Sequence, residues 1–234
     1  MRAPRLRPFY LPHARQPPPP AQSATRQQIT HFSQAPSPVT PDRSPPADWL
    51  PDAPGWLRRA RHVPSPNHDE RPPGIEIDLL VIHYISLPPG RFCGDAVERL
   101  FTNRLDADEH PAFAPLSGLR VSSHFLIRRR GELLQFVGTD ARAWHAGVSR
   151  FGERERCNDF SIGVELEGDG EHRFTEPQYR RLARLIAMLR ERHPLRWLAG
   201  HSDIAPDRKT DPGPRFDWPR VLALPQAYGL VRPY

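Results

Sequence analysis

The 234-residue sequence contains no run of about 20 apolar residues, which excludes a transmembrane helix. Residues 1–30 hold arginines, a proline run and a polar stretch but no apolar core of roughly 7–15 residues, so no secretory signal is expected. No lipidation cysteine stands near the start. Cys93 and Cys157 are the only cysteines, too few for a disulfide framework, and they point to a cytoplasmic setting. Internal repeats are absent. So is the H-E-x-x-H helix motif, which excludes the commonest helical zinc-protease site. Lysine is almost missing: of 33 basic residues, Lys209 alone is lysine. A strong arginine bias accounts for the rest, but a compact ammonium differs from a planar guanidinium, and that makes Lys209 worth following.

What is present is unevenly spread. Eighteen of the 30 prolines precede residue 74, and residues 1–50 set six arginines against Asp42 and Asp48. That segment therefore carries +4 of the net charge of +6. Residues 1–48 have too few large apolar side chains to offset their chain entropy and are expected to be a disordered Pro/Arg-rich extension. Residues 49–234 are long enough for a single domain with a real core. Within them, 49–74 reads as an ordered lead-in whose Trp56 and Leu57 pack on the domain.

The periodicities specify an α/β domain, a mixed central β-sheet flanked by helices. Ile77–His83 is a nearly continuous apolar run, the pattern of a strand buried on both faces. Gly94–Phe101 reads as a short helix. Val121–Ile127 and Leu133–Val137 read as a hairpin turning at Gly131, and Phe160–Leu166 as a further strand. Thr175 opens the strongest helix: Gln178 stands where a capping box needs it, Pro177 lies in the tolerated first turn, and Tyr179, Leu182, Leu185, Ile186 and Leu189 recur at helical spacing. His193-Pro194 stops it.

Polar residues close several of these elements. His83 ends the first long strand, His201 follows Leu198-Ala199-Gly200, and Asp211 comes ten residues later. Two imidazoles and a carboxylate suit an open zinc site with water in the fourth position. They equally suit two capping histidines and an Asp-Pro-Gly turn. Glu165 and Glu167, two apart on one strand, share a face. They read either as a base beside a metal site or as an ion-paired polar face. Ser86 has no base at a recognised spacing, so a serine nucleophile is not expected. His124 receives no role, and Cys157 reads as a buried thiol.

Four separated runs carry more information. They are His83-Tyr84-Ile85-Ser86-Leu87-Pro88-Pro89-Gly90, Trp144-His145-Ala146-Gly147, the stretch from Arg154 to Gly163, and the stretch from Gly200 to Pro214 containing Lys209-Thr210-Asp211-Pro212-Gly213. In content and order they closely resemble the zinc-dependent anhydromuramyl-L-alanine amidases of the amidase-2, peptidoglycan-recognition-like superfamily, over about Trp56 to Pro219. The resemblance implies one Zn2+ ion held by His83, His201 and Asp211, with Glu165 as general base and Lys209 stabilising the oxyanion. It implies stem-peptide contacts from Arg120 and Arg156, and a sugar-facing loop at Trp144 and His145. The implied reaction is hydrolysis of the amide between the lactyl group of anhydro-N-acetylmuramic acid and L-alanine, in peptidoglycan recycling. The implied setting is a cytoplasmic monomer with a muropeptide substrate and no nucleic-acid partner. A non-catalytic muropeptide-binding module of the same fold and an envelope amidase acting on intact peptidoglycan are the alternatives. The presence of all five catalytic positions speaks against the first, and the expected lack of an export signal against the second.

Overall fold

The computed structural model describes residues 47–234. The expected disorder of the N-terminal segment falls on residues outside this range, apart from its last two positions. The main sheet is built from β1 (Arg61–His62), β2 (Leu79–Ile85), β3 (Phe125–Ile127), β4 (Leu133–Gln135), β5 (Ser161–Glu167) and β6 (Trp197–Gly200), in the order β1-β4-β3-β5-β2-β6. Within this sheet only the β3–β4 hairpin is antiparallel, and the other pairings are parallel. The hairpin turns at Gly131 with φ +82°, a conformation that favours glycine. Helices α1 (Ala96–Phe101), α2 (Glu176–Arg192), α3 (His201–Ile204) and α4 (Trp218–Leu222) complete the frame. The sheet is mixed and helix-flanked, as the periodicities specify. No described helix is long and apolar enough to cross a membrane.

Helix α2 begins where its capping box lies. The Thr175 side chain accepts from Gln178 N, and Gln178 Oε1 accepts from Thr175 N at 3.0 Å. Its Tyr179, Leu182, Leu185, Ile186 and Leu189 join one buried cluster with Leu80 and Ile82 of β2 and Ile162, Val164 and Leu166 of β5. Each fully buried large aliphatic side chain of this kind contributes about 1.5–3 kcal/mol. The alternate residues Leu79 and Val81 point the other way and pack with Ala146, Cys157, Phe160, Ala199 and Ile204. That second face matters for function, because the period of two continues along it to His83 on β2 and from Ser161 and Gly163 to Glu165 on β5.

Strand β2 starts two residues later than the apolar run predicts and continues past His83 to Ile85. Asp78 is the cause: its carbonyl accepts from Arg196 N at 2.9 Å and Trp197 N at 3.0 Å, and its buried carboxylate accepts from Arg154 Nη1 at 3.0 Å, which makes it a corner rather than a ladder residue. In the lead-in, Leu57 is buried as expected, but Trp56 is only half-buried and Trp49 is the aromatic anchor. The 87–120 segment is no bare loop. Its α1 residues Val97, Leu100 and Phe101, with Phe113, pack against Leu126 and Leu134 and build one wall of the cleft described below.

At the end of α2, His193 is buried, donates its backbone N–H to Leu189 O at 2.8 Å, and meets Thr139 Oγ1 through Nε2 at 2.8 Å. Burial pushes its imidazole down to about 4, with the Arg192 charge acting in the same direction and Asp140 against it. A histidine held neutral in the fold contributes stability that is present above the unfolded value of about 6.5 and is lost as pH falls toward about 4. Chemical denaturation of the metal-free chain between pH 7 and pH 4 is expected to show this loss, and His193→Gln is expected to lessen the slope.

Candidate active site

The carboxyl ends of β2, β5 and β6 meet at one edge of the sheet, the place where open α/β sheets bind ligands. Parallel pairing sets His83 opposite Glu165. Gly200 ends β6, and its Asp203 side chain accepts from Gly200 N at 2.7 Å, so the chain turns sharply into α3 and His201 is presented at the strand end. Asp211 arrives on the following loop, tied by Ser202 N to Asp211 O at 2.8 Å. A side chain at Gly200 would strike Pro212 Cδ at 2.6 Å, so this close approach of loop to strand needs glycine.

His83 Nδ1 lies 3.0 Å from His201 Nδ1 and 3.0 Å from Asp211 Oδ2, and His201 Nδ1 lies 3.1 Å from the same oxygen. All three side chains are buried. His201 Nε2 faces the Ala146 carbonyl at 3.1 Å and can only donate to it, which leaves Nδ1 as a bare lone pair. Arg208 Nη2 donates to that carbonyl as well, at 2.8 Å, and so braces it. Burial and the neighbouring His201 push the His83 imidazole down to about 4. For Asp211, burial alone would raise the carboxyl, but the two imidazoles beside its Oδ2 outweigh it and hold the group well below the usual carboxylate range. A His83 imidazole held neutral, an ionised Asp211 and the His201 nitrogen left over by the Ala146 contact converge on one point, the arrangement a divalent cation requires. Among the described residues this is the cluster that fits a metal ion.

The two glutamates of β5 do share a face, and their surroundings separate them. Glu167 accepts from Arg128 Nη1 at 3.1 Å and from Arg129 N at 2.9 Å. Glu165 is buried, and its Oε2 has no hydrogen-bond partner. Burial, and then the Asp211 charge, raise the Glu165 carboxyl well above its ordinary value against the pull of Lys209. A cleft of about 250 Å³ joins His83, His201, Asp211, Glu165 and Lys209, with Leu100, Phe101, Leu116, Leu119 and Val121 forming its apolar side. Lys209 is half-buried and pairs with no carboxylate among the described residues, so its ammonium is free to face a ligand.

The remaining residues expected at the substrate divide. Trp144 is half-buried on the cleft, its indole donating to Asp69 Oδ1 at 3.1 Å. Arg120 is exposed between the lining residues Leu119 and Val121. Arg156 sits at φ +60° with its guanidinium 3.2 Å from Asp159, apart from the cleft lining. His145 points inward, its Nδ1 3.0 Å from His83 Nε2 and its Nε2 3.2 Å from Ser161 Oγ. His124, given no role from sequence, accepts from Gly163 N at 3.0 Å and stands edge-on to His145. Burial raises the Cys157 thiol to about 11, which keeps it inert.

Two ring nitrogens and a carboxylate oxygen on one point, with an unpaired carboxylate and a free ammonium beside them, are the parts of a metal-dependent hydrolase. The chain belongs to the N-acetylmuramoyl-L-alanine amidase family, whose profile matches residues 73–214. It is 56% identical over 177 residues to the 1,6-anhydro-N-acetylmuramyl-L-alanine amidase AmpD of Salmonella typhimurium strain SL1344, covering 75% of this chain and 94% of that one. To AmpD of Escherichia coli K12 it is 55% identical over 172 residues, covering 73% and 94%. A crystal structure of a selenomethionine AmpD derivative superposes with a TM-score of 0.70 at 54% identity, covering 73% of this chain and 96% of that chain.

Proposed function

We propose that this amidase hydrolyses the amide between the lactyl group of 1,6-anhydro-N-acetylmuramic acid and L-alanine of the stem peptide, using one zinc ion, and so serves peptidoglycan recycling. The convergence of His83 Nδ1, His201 Nδ1 and Asp211 Oδ2 beside the unpartnered Glu165 carries the reading. Similarity to the anhydromuramyl-L-alanine amidases supports the substrate. A borderline-soft N,N,O donor set with an open side suits zinc above magnesium or calcium.

Zinc held by these three residues supplies a Lewis acid for the amide carbonyl and lowers the pKa of water toward neutrality. Glu165 takes the proton of the attacking water and delivers it to the amine nitrogen as the C–N bond breaks. Its raised affinity for protons suits it to both transfers, because a base tuned toward neutral pH is also a competent acid. The Lys209 ammonium faces the oxygen on which negative charge develops. Leu100, Phe101, Leu116 and Val121 exclude water from one side, which strengthens these charge interactions. Trp144 offers an aromatic face to the sugar, and Arg120, exposed between two cleft-lining residues, is the cation for the peptide carboxylates, whereas Arg156 pairs with Asp159 away from the cleft. Residues 49–234 form the amidase domain in this reading, and a monomeric cytoplasmic enzyme is part of the same proposal. A non-catalytic module would have no use for a buried carboxylate left without a partner.

The test is the release of peptide from anhydromuramyl-tripeptide compared with intact sacculi. The zinc-loaded chain is expected to favour the soluble muropeptide, and a preference for sacculi would overturn the recycling role. Lys209→Met is expected to lower kcat roughly 100- to 1,000-fold with little change in zinc content, the scale on which a single oxyanion donor acts. Metal analysis alongside single-turnover kinetics checks it.

A further inference from the structure

His145 is a buried imidazole that the reaction above does not use, and its surroundings give it a direction. Ser161 Oγ lies 2.5 Å from the Cys157 carbonyl, which can only accept, so the one hydroxyl hydrogen is committed there. Toward His145 Nε2, at 3.2 Å, the same oxygen can therefore only accept. A neutral imidazole has a single N–H, and here it must lie on Nε2 of His145. Its Nδ1 is then a bare acceptor, 3.0 Å from His83 Nε2. That contact holds the His83 proton on Nε2 and leaves Nδ1 as a lone pair facing Asp211 Oδ2 and His201 Nδ1.

The seat of His145 is built to the same end. A Cβ at Gly163 would lie 2.5 Å from the His145 ring, so the ring rests directly on the β5 backbone, which only glycine allows there. Asn158 Oδ1 accepts from both His145 N, at 3.2 Å, and Ala146 N, at 2.8 Å, and so fixes the loop that carries the ring. The opposing tendency is plain. Asp211 Oδ2 stands 3.0 Å from His83 Nδ1, and a carboxylate attracts an N–H more strongly than a neutral imidazole does. Without an acceptor behind His83, the proton would move to Nδ1 and occupy the ligating lone pair.

We propose that His145 and Ser161 are positioning residues which lock His83 in its metal-ligating tautomer. This rests on the metal reading of the centre. Outer partners of ligating histidines typically set metal affinity by 10- to 100-fold. The decisive pair of variants is His145→Asn and His145→Leu. They are nearly equal in size, and only asparagine offers an acceptor where Nδ1 stood.

Zinc affinity is read by competition with a chromophoric chelator, and the His83 tautomer by 15N chemical shifts of the metal-free protein. His145→Leu is expected to weaken zinc binding roughly 10- to 100-fold and to move the His83 proton to Nδ1, while His145→Asn recovers most of both. Ser161→Ala keeps the ring and is expected to leave His83 as a mixture of tautomers, which provides the test if His145→Leu does not fold. Equal weakening in the leucine and asparagine variants, or an Nδ1–H signature in the wild type, overturns the relay. A wild-type chain that takes up no zinc overturns the metal reading itself, and the relay with it.

Discussion

Removing the metal with a chelator is expected to abolish amide hydrolysis, stoichiometric zinc to restore it, and His201→Ala to lose activity that zinc cannot restore. The expected loss is at least about a thousandfold, since a Lewis acid contributes several kcal/mol of transition-state stabilisation and each tenfold corresponds to about 1.4 kcal/mol. His201 is the sharpest choice of ligand because its other nitrogen is already committed to the Ala146 carbonyl at 3.1 Å. The ring therefore has one free donor atom and one use for it. Alanine there leaves His83 and Asp211 as an incomplete set. Metal content by mass spectrometry, measured beside turnover, separates a lost ion from a misfolded chain. Full activity in a thoroughly metal-free sample would defeat the account of the centre.

Glu165→Gln is expected to lower kcat roughly 100- to 10,000-fold while zinc stays bound, because the amide keeps the shape but cannot accept the proton. The same change is expected to raise the thermal stability of the metal-free chain at pH 7. Burial and the Asp211 charge raise the folded-state affinity of Glu165 for its proton. A carboxyl raised in this way contributes stability that is fully present below its unfolded value of about 4.3 and is lost as pH rises through the folded value. As pH rises the wild type bears a growing cost of ionising this buried carboxyl, a cost that glutamine, which cannot ionise, escapes. The stability difference should close as the pH approaches 4. A variant that is both inactive and less stable at pH 7 would mean that Glu165 serves the fold rather than the reaction.

Much of this was legible from residue order. The capping box at Thr175 and Gln178 and the apolar stripe of α2 are local signals, and the helix starts where they place it. The buried runs of β2 and β5 are equally local, with ends displaced by contacts such as those at Asp78 that periodicity does not encode. Strand β1 is not legible in the sequence, because two exposed residues, Arg61 and His62, carry no pattern and join the sheet only through β4. At the site, the matching runs identified His83, His201 and Asp211, and the fold brings them together. The alternation of β5 put Glu165 and Glu167 on one face, but telling the unpaired carboxylate from the ion-paired one required Arg128, which lies 39 residues from Glu167. His145 was the least legible. Its inward direction depends on Gly163 and Ser161, which lie on β5, and nothing in Trp144-His145-Ala146-Gly147 alone distinguishes a residue facing the sugar from one behind His83.

The most direct test is hydrolysis of anhydromuramyl-tripeptide by the zinc-loaded chain in H2(18)O, with products identified by mass spectrometry. The account predicts two products, a muramyl lactate carrying one heavy oxygen in its new carboxylate and an unlabelled peptide with a free L-alanine amine. Intact substrate after long incubation, or heavy oxygen in the peptide instead of the lactyl carboxylate, would contradict it.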